Sequence, residues 1–508
     1  MRDYKTKQCE YFASEHLSTD LKSRAVRGAG ITVFSQTLVY AVQTISTIVL
    51  ARLLTPNDFG MVAMVTVFSM LLINFGVNGF TEAIVQQKEI NHGQLSTLFW
   101  VNLAMNTIIA VIFMAISPFI ARFYREPRIE LVGIVMAVPI LFTGLSTEHA
   151  ALLRRNMKFH RIAAIDIGAS VISVSIAIAM AFGGLEYWAV VSRQVIVFIS
   201  SAVGAWILCR WRPGLPRLGV GVIPMVRFAL NTYANFCLTY FNRNVDKILI
   251  GKYYGPESLG NYDRAYHLSS LLPNQLTMPL ANVAFATLSR LRDEPEKYRY
   301  YYGRVISTLA FISFPLSAVL TIEGKDLILL ILGSQWEGAG VIFTALGPGI
   351  GMTVLYSTHG WLHISLGRAD RWLHWGIIAF IATVIFYLMG LPFGALGVAI
   401  AYSGTYYILI IPALIYAGKP MKLNYSFFWR AMGKYFLSAV AAGCVCWYIT
   451  NCLNYTSNFF AELNTLLRII VSSVLCVITY VLFVVSFYRS IDPVLQLLTL
   501  FREMISKS

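Results

Sequence analysis

Charge is what this chain has least of. Asp, Glu, Lys and Arg make up 13% of its 508 residues and hydrophobic residues 57%, with a mean hydropathy of +0.64. A water-soluble fold cannot cover its exterior at that ratio, so the composition implies a polytopic membrane protein. Cysteine is also scarce. The seven, at positions 9, 209, 237, 444, 446, 452 and 476, show no zinc-ligand spacing and read as small apolar residues, so no metal site is expected. There is no Walker A sequence for ATP, no Ser/His/Asp arrangement, and hence no expected catalytic residue or cofactor. The first 22 residues mix both signs and lack an apolar core, which argues against a cleavable signal peptide. The longest expected external loop, roughly Asn451 to Leu467, holds a single acid, Glu462. A membrane glycosyltransferase, polymerase or ligase working through an external catalytic domain would need more.

Acids are outnumbered by bases, 25 to 40, for a net charge of +15. The bases sit in short loops with no soluble domain to carry a groove, so no nucleic-acid partner is expected. Uncharged runs set the spans: Gly28 to Ala51, Asn91 to Ala121, Ile167 to Leu185 and Ile469 to Tyr488 are each long enough to cross about 30 Å of hydrocarbon. Trp372 to Gly418, wholly uncharged, must hold two helices with a turn near Gly390 to Gly397. About fourteen spans result. With the N-terminus inside, the inner segments collect 29 of the 40 lysines and arginines and the outer ones 8. That bias predicts both termini in the cytoplasm.

Two ten-residue stretches repeat 200 positions apart: Ala51-Arg-Leu-Leu-Thr-Pro-Asn-Asp-Phe-Gly60 and Gly251-Lys-Tyr-Tyr-Gly-Pro-Glu-Ser-Leu-Gly260. Each closes one apolar segment and opens another, as a hairpin between two membrane helices would. A weaker echo joins Ser146-Thr147-Glu148-His149 to Ser357-Thr358-His359. The chain therefore divides into a cytoplasmic segment 1–22, a six-helix bundle 23–217, a second six-helix bundle 218–417, and two appended helices with a cytoplasmic tail over 418–508. Six spans per half is an even number, which predicts a parallel repeat about a pseudo-two-fold axis along the membrane normal. Gly347-Pro348-Gly349-Ile350-Gly351 in the tenth span fits either a hinge or close helix packing.

The helix ahead of each hairpin is polar on one face. At the same offset Ser35 pairs with Asn235, Gln43 with Arg243, Ser46 with Asp246 and Thr47 with Lys247, all within an arc of roughly 120°. The seventh span, expected as one helix over 224–251, also carries Asn231 and Asn242. Three charges within a membrane helix would cost on the order of 8 kcal/mol uncompensated, so lipid is not what this face meets. One reading is a cationic, hydrogen-bonding wall for an anionic, hydroxyl-rich substrate, made by Arg243, Lys247, Asn235, Asn242, Gln43 and, from the sixth span, Arg193. The other is a structural ion pair between Asp246 and Arg243. Asp246, and Asp166 in the fifth span, are the candidates for exchanging a proton or binding Na⁺.

Several stretches carry a family likeness: the two hairpins, Phe75-Gly-Val-Asn-Gly79 with Gln86-Gln87, Leu153-Arg-Arg-Asn-Met-Lys-Phe159, Val245-Asp-Lys-Ile-Leu-Ile-Gly251, Leu259-Gly-Asn-Tyr-Asp-Arg-Ala265 and Leu332-Gly-Ser-Gln-Trp336. In order and spacing they resemble the Wzx-type polysaccharide flippases, in the subgroup of colanic acid and related exporters. These form the polysaccharide transport branch of the multidrug/oligosaccharidyl-lipid/polysaccharide exporter superfamily. The resemblance covers nearly the whole chain. It implies two helical bundles in a V, the bacterial inner membrane, and transfer of a polyprenyl-pyrophosphate-linked oligosaccharide to the outer leaflet beside a polymerase and other assembly proteins. The pyrophosphate would then be the anion that Arg243 and Lys247 answer. The rival within the superfamily is a cation-coupled multidrug exporter, whose site should favour carboxylates; this face is net basic.

Overall fold

The computed structural model describes residues 21–77, 80–87, 90–217, 221–457, 464–493 and 495, and every regular element among them is helical. Most of the expected N-terminal segment, and Glu462, lie outside these residues. Contacts group the chain into two compact units, one through Gly260 and one from Asn261.

The first unit contains α1 (Leu21–Leu53), α2 (Pro56–Val77), α3 (Phe80–Gln86), α4 (His92–Tyr124), α5 (Arg128–Val135), α6 (Val138–Arg155), α7 (Phe159–Phe182), α8 (Tyr187–Cys209), α9 (Ile223–Asn242) and the start of α10 (Val245–Arg290). Local chemistry fixes its joints. Asn91 and Gln94 form a reciprocal capping box that starts α4, while Arg125, at φ 58°, ends it in the left-handed region. At the first hairpin the Asp58 carboxylate accepts from the Thr55 amide (2.9 Å) and hydroxyl (2.7 Å), and Pro56 opens α2. The core gathers Phe75, Phe80, Leu98, Phe99, Leu152 and Trp211. Hydroxyls of Tyr233 and Tyr240 on α9 donate to the Leu71 and Val67 carbonyls of α2 at 2.9 and 2.7 Å. These bonds tie α9 to the first unit.

The duplicated hairpins meet inside this unit. A Cβ added at Gly60 would stand 1.7 Å from the Pro256 carbonyl oxygen, and one at Gly260 would stand 1.8 Å from the Pro56 oxygen. Glycine is required at both places because backbone lies where a side chain would begin. Gly255, at φ 78°, supplies the bend that separates two helices within α10.

The second unit continues α10 and adds α11 (Pro295–Ile322), α12 (Gly324–Leu332), α13 (Glu337–Ser365), α14 (Ala369–Gly390), α15 (Gly394–Gly418), α16 (Tyr425–Phe428), a π turn at Trp429–Gly433, α17 (Lys434–Ser457) and α18 (Thr465–Tyr488). Its core packs Tyr298, Tyr302, Leu309 and Phe314 of α11 against Leu355 of α13, Leu414 of α15, Tyr435 of α17 and Tyr480 of α18. The two appended helices therefore cover α11. Around Pro348 the Ser317 hydroxyl donates to the Gly347 and Pro348 carbonyls (2.6 and 3.1 Å), and the Tyr407 hydroxyl to the latter (3.1 Å). A Cβ at Gly347, Gly349 or Gly351 would reach Thr321, Ser403 or Phe314 within 2.9 Å. Close packing accounts for the glycines here, and hydroxyls from α11 and α15 add hydrogen bonds to the carbonyls of Gly347 and Pro348.

The exterior is apolar. Ile377, Ile381, Ile385 and Leu388 form an exposed stripe along α14, as lipid contact demands. Among the described residues, eleven stretches are long and apolar enough to span a membrane, one of which, Ala369–Met421, contains both α14 and α15. These stretches cover twelve of the fourteen expected spans; the seventh and eighth fall on α9 and α10, which do not meet the criterion. Both carry the polar residues singled out in the sequence.

Candidate functional site

The seventh span is not one helix. α9 ends at Asn242, Arg243 caps it, and α10 begins at Val245. The amides of Arg243 and Asn244 donate three residues back, to Tyr240 (3.1 Å) and Phe241 (3.2 Å), and the Asn244 side-chain amide takes the Tyr240 carbonyl at 2.9 Å. Three consecutive polar residues, Asn242-Arg243-Asn244, offer the backbone such alternatives, which is why the expected helix over 224–251 breaks here. A face argument carried from Asn231 to Lys247 does not survive the break.

What the break presents is specific. Arg243 is exposed, Lys247 is half-buried, and Asp246 is 1% exposed. The Asp246 carboxylate accepts the Lys247 amide at 2.9 Å in the first turn of α10, where a negative charge meets the positive end of the helix dipole. Counted along the helix to Tyr254, Arg243 lies roughly 16 Å from the second hairpin. The side chains of Asn235 and Asn242 lie outside the described residues.

On α1 the paired positions share this burial pattern. Gln43 is exposed like Arg243, and Ser46 is 0% exposed like Asp246. The hydroxyls of Ser35 and Thr47 bond back to their own helix, at Thr32 (3.0 Å) and Gln43 (2.9 Å), so they add little to a polar wall. Arg193 is half-buried on α8, and Asp166 is exposed on α7.

Sequence reasoning passed over a second polar feature. In the first unit Asn102 and Asn106 of α4 and Glu148 of α6 are each fully buried. The Asn106 side-chain amide donates to the Asn102 backbone carbonyl (2.9 Å) and side-chain oxygen (2.7 Å), and the Asn102 amide donates to Glu148 Oε1 (3.0 Å). Two asparagines four residues apart in an otherwise apolar helix were the available signal. In the second unit a line of rings runs from Tyr262 through Tyr266, Tyr402 and Tyr406 to Tyr356, with centroids 5.0 to 6.1 Å apart. Its members come from α10, α13 and α15, which no linear motif could link.

An all-helical bundle with a lipid-facing exterior and a polar break within one helix defines a multi-pass membrane transporter fold. The chain belongs to the polysaccharide biosynthesis protein family, whose match spans residues 49–341. It is 25% identical over 387 residues to the teichuronic acid biosynthesis protein TuaB of Bacillus subtilis, covering 75% of this chain and 79% of that one. It is 23% identical over 359 residues to the succinoglycan biosynthesis transport protein ExoT of Rhizobium meliloti, covering 70% and 72%. In fold it is similar to the lipid II flippase MurJ in an inward closed conformation, with a TM-score of 0.71 at 16% identity over 91% of this chain and 99% of that one. An inward-facing multidrug resistance transporter of the MATE family and MOP superfamily matches with a TM-score of 0.58 at 12% identity, over 76% and 94%. The chain is thus a member of the polysaccharide biosynthesis protein family, with a fold like that of MurJ and of the MATE transporter.

Proposed function

We propose that this protein carries a polyprenyl-pyrophosphate-linked oligosaccharide from the inner to the outer leaflet of a bacterial cytoplasmic membrane, with both termini in the cytoplasm. The single observation that carries the reading is the break at Arg243. A discontinuous membrane helix turns backbone groups and a guanidinium away from lipid, which is how transporters commonly build substrate sites. The family and the transport protein ExoT support a polysaccharide precursor as cargo, and the flippase MurJ supports a lipid-linked one. A guanidinium binds a pyrophosphate through paired, charge-assisted hydrogen bonds, with Lys247 as a second cation. Polymerisation outside the membrane would consume the product and draw transfer forward; an H⁺ or Na⁺ gradient acting through Asp246 or Asp166 is the alternative drive.

Transfer of a labelled lipid-linked oligosaccharide in reconstituted vesicles tests this. Losing a charge-assisted hydrogen bond is worth about 1.5–3 kcal/mol, so Arg243→Ala should weaken substrate binding about 10- to 100-fold, with Arg243→Lys in between. Full transfer by a well-folded Arg243→Ala protein would overturn the assignment.

A further inference from the structure

The Asn106–Asn102–Glu148 relay in the first unit is short of one hydrogen. Each contact runs from an amide donor to an acceptor and ends on Glu148 Oε1. What remains unpaired is acceptor only: Glu148 Oε2 and Asn106 Oδ1 are both buried with no partner. An ionised carboxylate asks for several donors, and this one receives a single side-chain donor beside its own backbone amide, with Oε2 left without a partner. Adding a proton converts one acceptor oxygen into a donor and gives the site the hydrogen that it lacks.

The surroundings leave no other compensation in view. The basic residues of α6 itself, Arg154 and Arg155, lie six and seven residues further on, roughly 9–10 Å along the helix. The Arg155 guanidinium donates to the Ile84 and Gln87 carbonyls, and Arg154 is exposed. The helices packed against α6 contribute Asp58 on α2, Glu82 on α3, His92 and Arg122 on α4, His160, Arg161 and Asp166 on α7 and Arg193 on α8. No hydrogen bond or salt bridge recorded for Glu148 involves any of these groups. Its chain neighbour His149 turns aside, with Nε2 facing the Trp211 carbonyl (3.3 Å) and its ring stacked on Trp206 at 4.6 Å. Gly144, one turn before Glu148, keeps the approach narrow: a Cβ there would stand 2.9 Å from Asn106. A metal cation of the Na⁺ kind needs about six oxygens, whereas two acceptors are unclaimed here, so the chemistry fits a proton.

We propose that Glu148 is a proton-binding site of the first unit, taking one proton on Oε2 and releasing it during the transport cycle, with Asn102 and Asn106 as the residues that position the carboxyl. The equivalent position of the second sequence copy, in the aligned Ser-Thr motif, is His359, another titratable side chain. The proton-binding step stands on the buried relay alone. Its use in transport rests on the transport reading above.

The test is pH-dependent infrared difference spectroscopy on the full-length protein in lipid nanodiscs. A band of a protonated carboxyl should grow on acidification in the wild type, be absent in Glu148→Gln, and persist in Glu186→Gln, whose residue lies in the α7–α8 loop. A wild-type spectrum identical to that of Glu148→Gln at every pH overturns the proposal. Should Glu148→Gln fail to fold, Asn106→Ala serves: it removes the relay's unpaired acceptor together with the donor that orients Asn102 and should weaken the band at a given pH, and an unchanged band overturns the positioning role. In vesicles, an imposed pH gradient should accelerate transfer by the wild type, and Glu148→Gln should lose that acceleration while gradient-free transfer continues. Absence of transfer by the wild type would count against the transport reading and leave the carboxyl titration as it stands.

Discussion

Adding one methyl group at Gly60 perturbs the meeting of the two duplicated hairpins, and the effect can be worked from the geometry. The new Cβ would lie 1.7 Å from the Pro256 carbonyl oxygen and 2.9 Å from the Gly260 nitrogen. Ordinary van der Waals contact begins near 3.4 Å, so the two segments must part by roughly 1.5 Å or more. Overpacking of this kind costs about 1–3 kcal/mol. Gly260→Ala meets the mirror-image obstacle, the Pro56 oxygen at 1.8 Å, and should cost a similar amount. The decisive variant is the double one. Either methyl alone forces the separation that the other also needs, so Gly60→Ala with Gly260→Ala should fall short of the sum of the singles by about 0.5–3 kcal/mol, the size of coupling expected between touching residues. Thermal unfolding of the purified protein in one detergent reads all three, with Gly168→Ala as control; no atom lies within 4 Å of a Cβ there, and the helix should gain up to about 1 kcal/mol. Singles as stable as the wild type, or losses that add, would refute the claim that one reciprocal contact joins the hairpins.

Three further outcomes follow from other parts of the molecule. Ser317→Ala removes one hydroxyl donor from the Gly347 and Pro348 carbonyls, the latter keeping Tyr407, and should cost about 0.5–1.5 kcal/mol in thermal unfolding; a neutral result would return Gly347 to Gly351 to the hinge reading. Single cysteines at positions 57 and 257 should both react with an impermeant reagent from outside intact cells, and cytoplasmic labelling of either would end the parallel-repeat topology. The hydrogen bond from Arg128, 2.8 Å from Glu126 in the loop between α4 and α5, holds that carboxyl below its ordinary value of 4.5. Its contribution is present above the unfolded value and is lost as pH falls through the folded one. At this partly exposed site it amounts to about 0.2–1 kcal/mol, and Glu126→Gln should remove that part of the acid-side loss in a pH series of unfolding temperatures.

The legible parts of this protein were those written locally. Apolar runs, the paired hairpins and their glycines depend on composition and neighbours in the chain, and the helices and the Gly255 bend answer to them. Arg243 stood out because a charge inside an apolar segment is costly wherever the segment packs. The break beside it was harder to foresee, because periodicity assumes an unbroken helix and says nothing of when Asn244 will take the Tyr240 carbonyl for itself. Least legible was the Glu148 relay. Glu148 lies 46 residues from Asn102, and in sequence it reads only as the third residue of the Ser-Thr-Glu-His repeat echo. Its real environment is set by the way α4 and α6 close over Gly144. The same residue type therefore means an ordinary surface acid in one packing and a site one proton short in another, and only the fold distinguishes them.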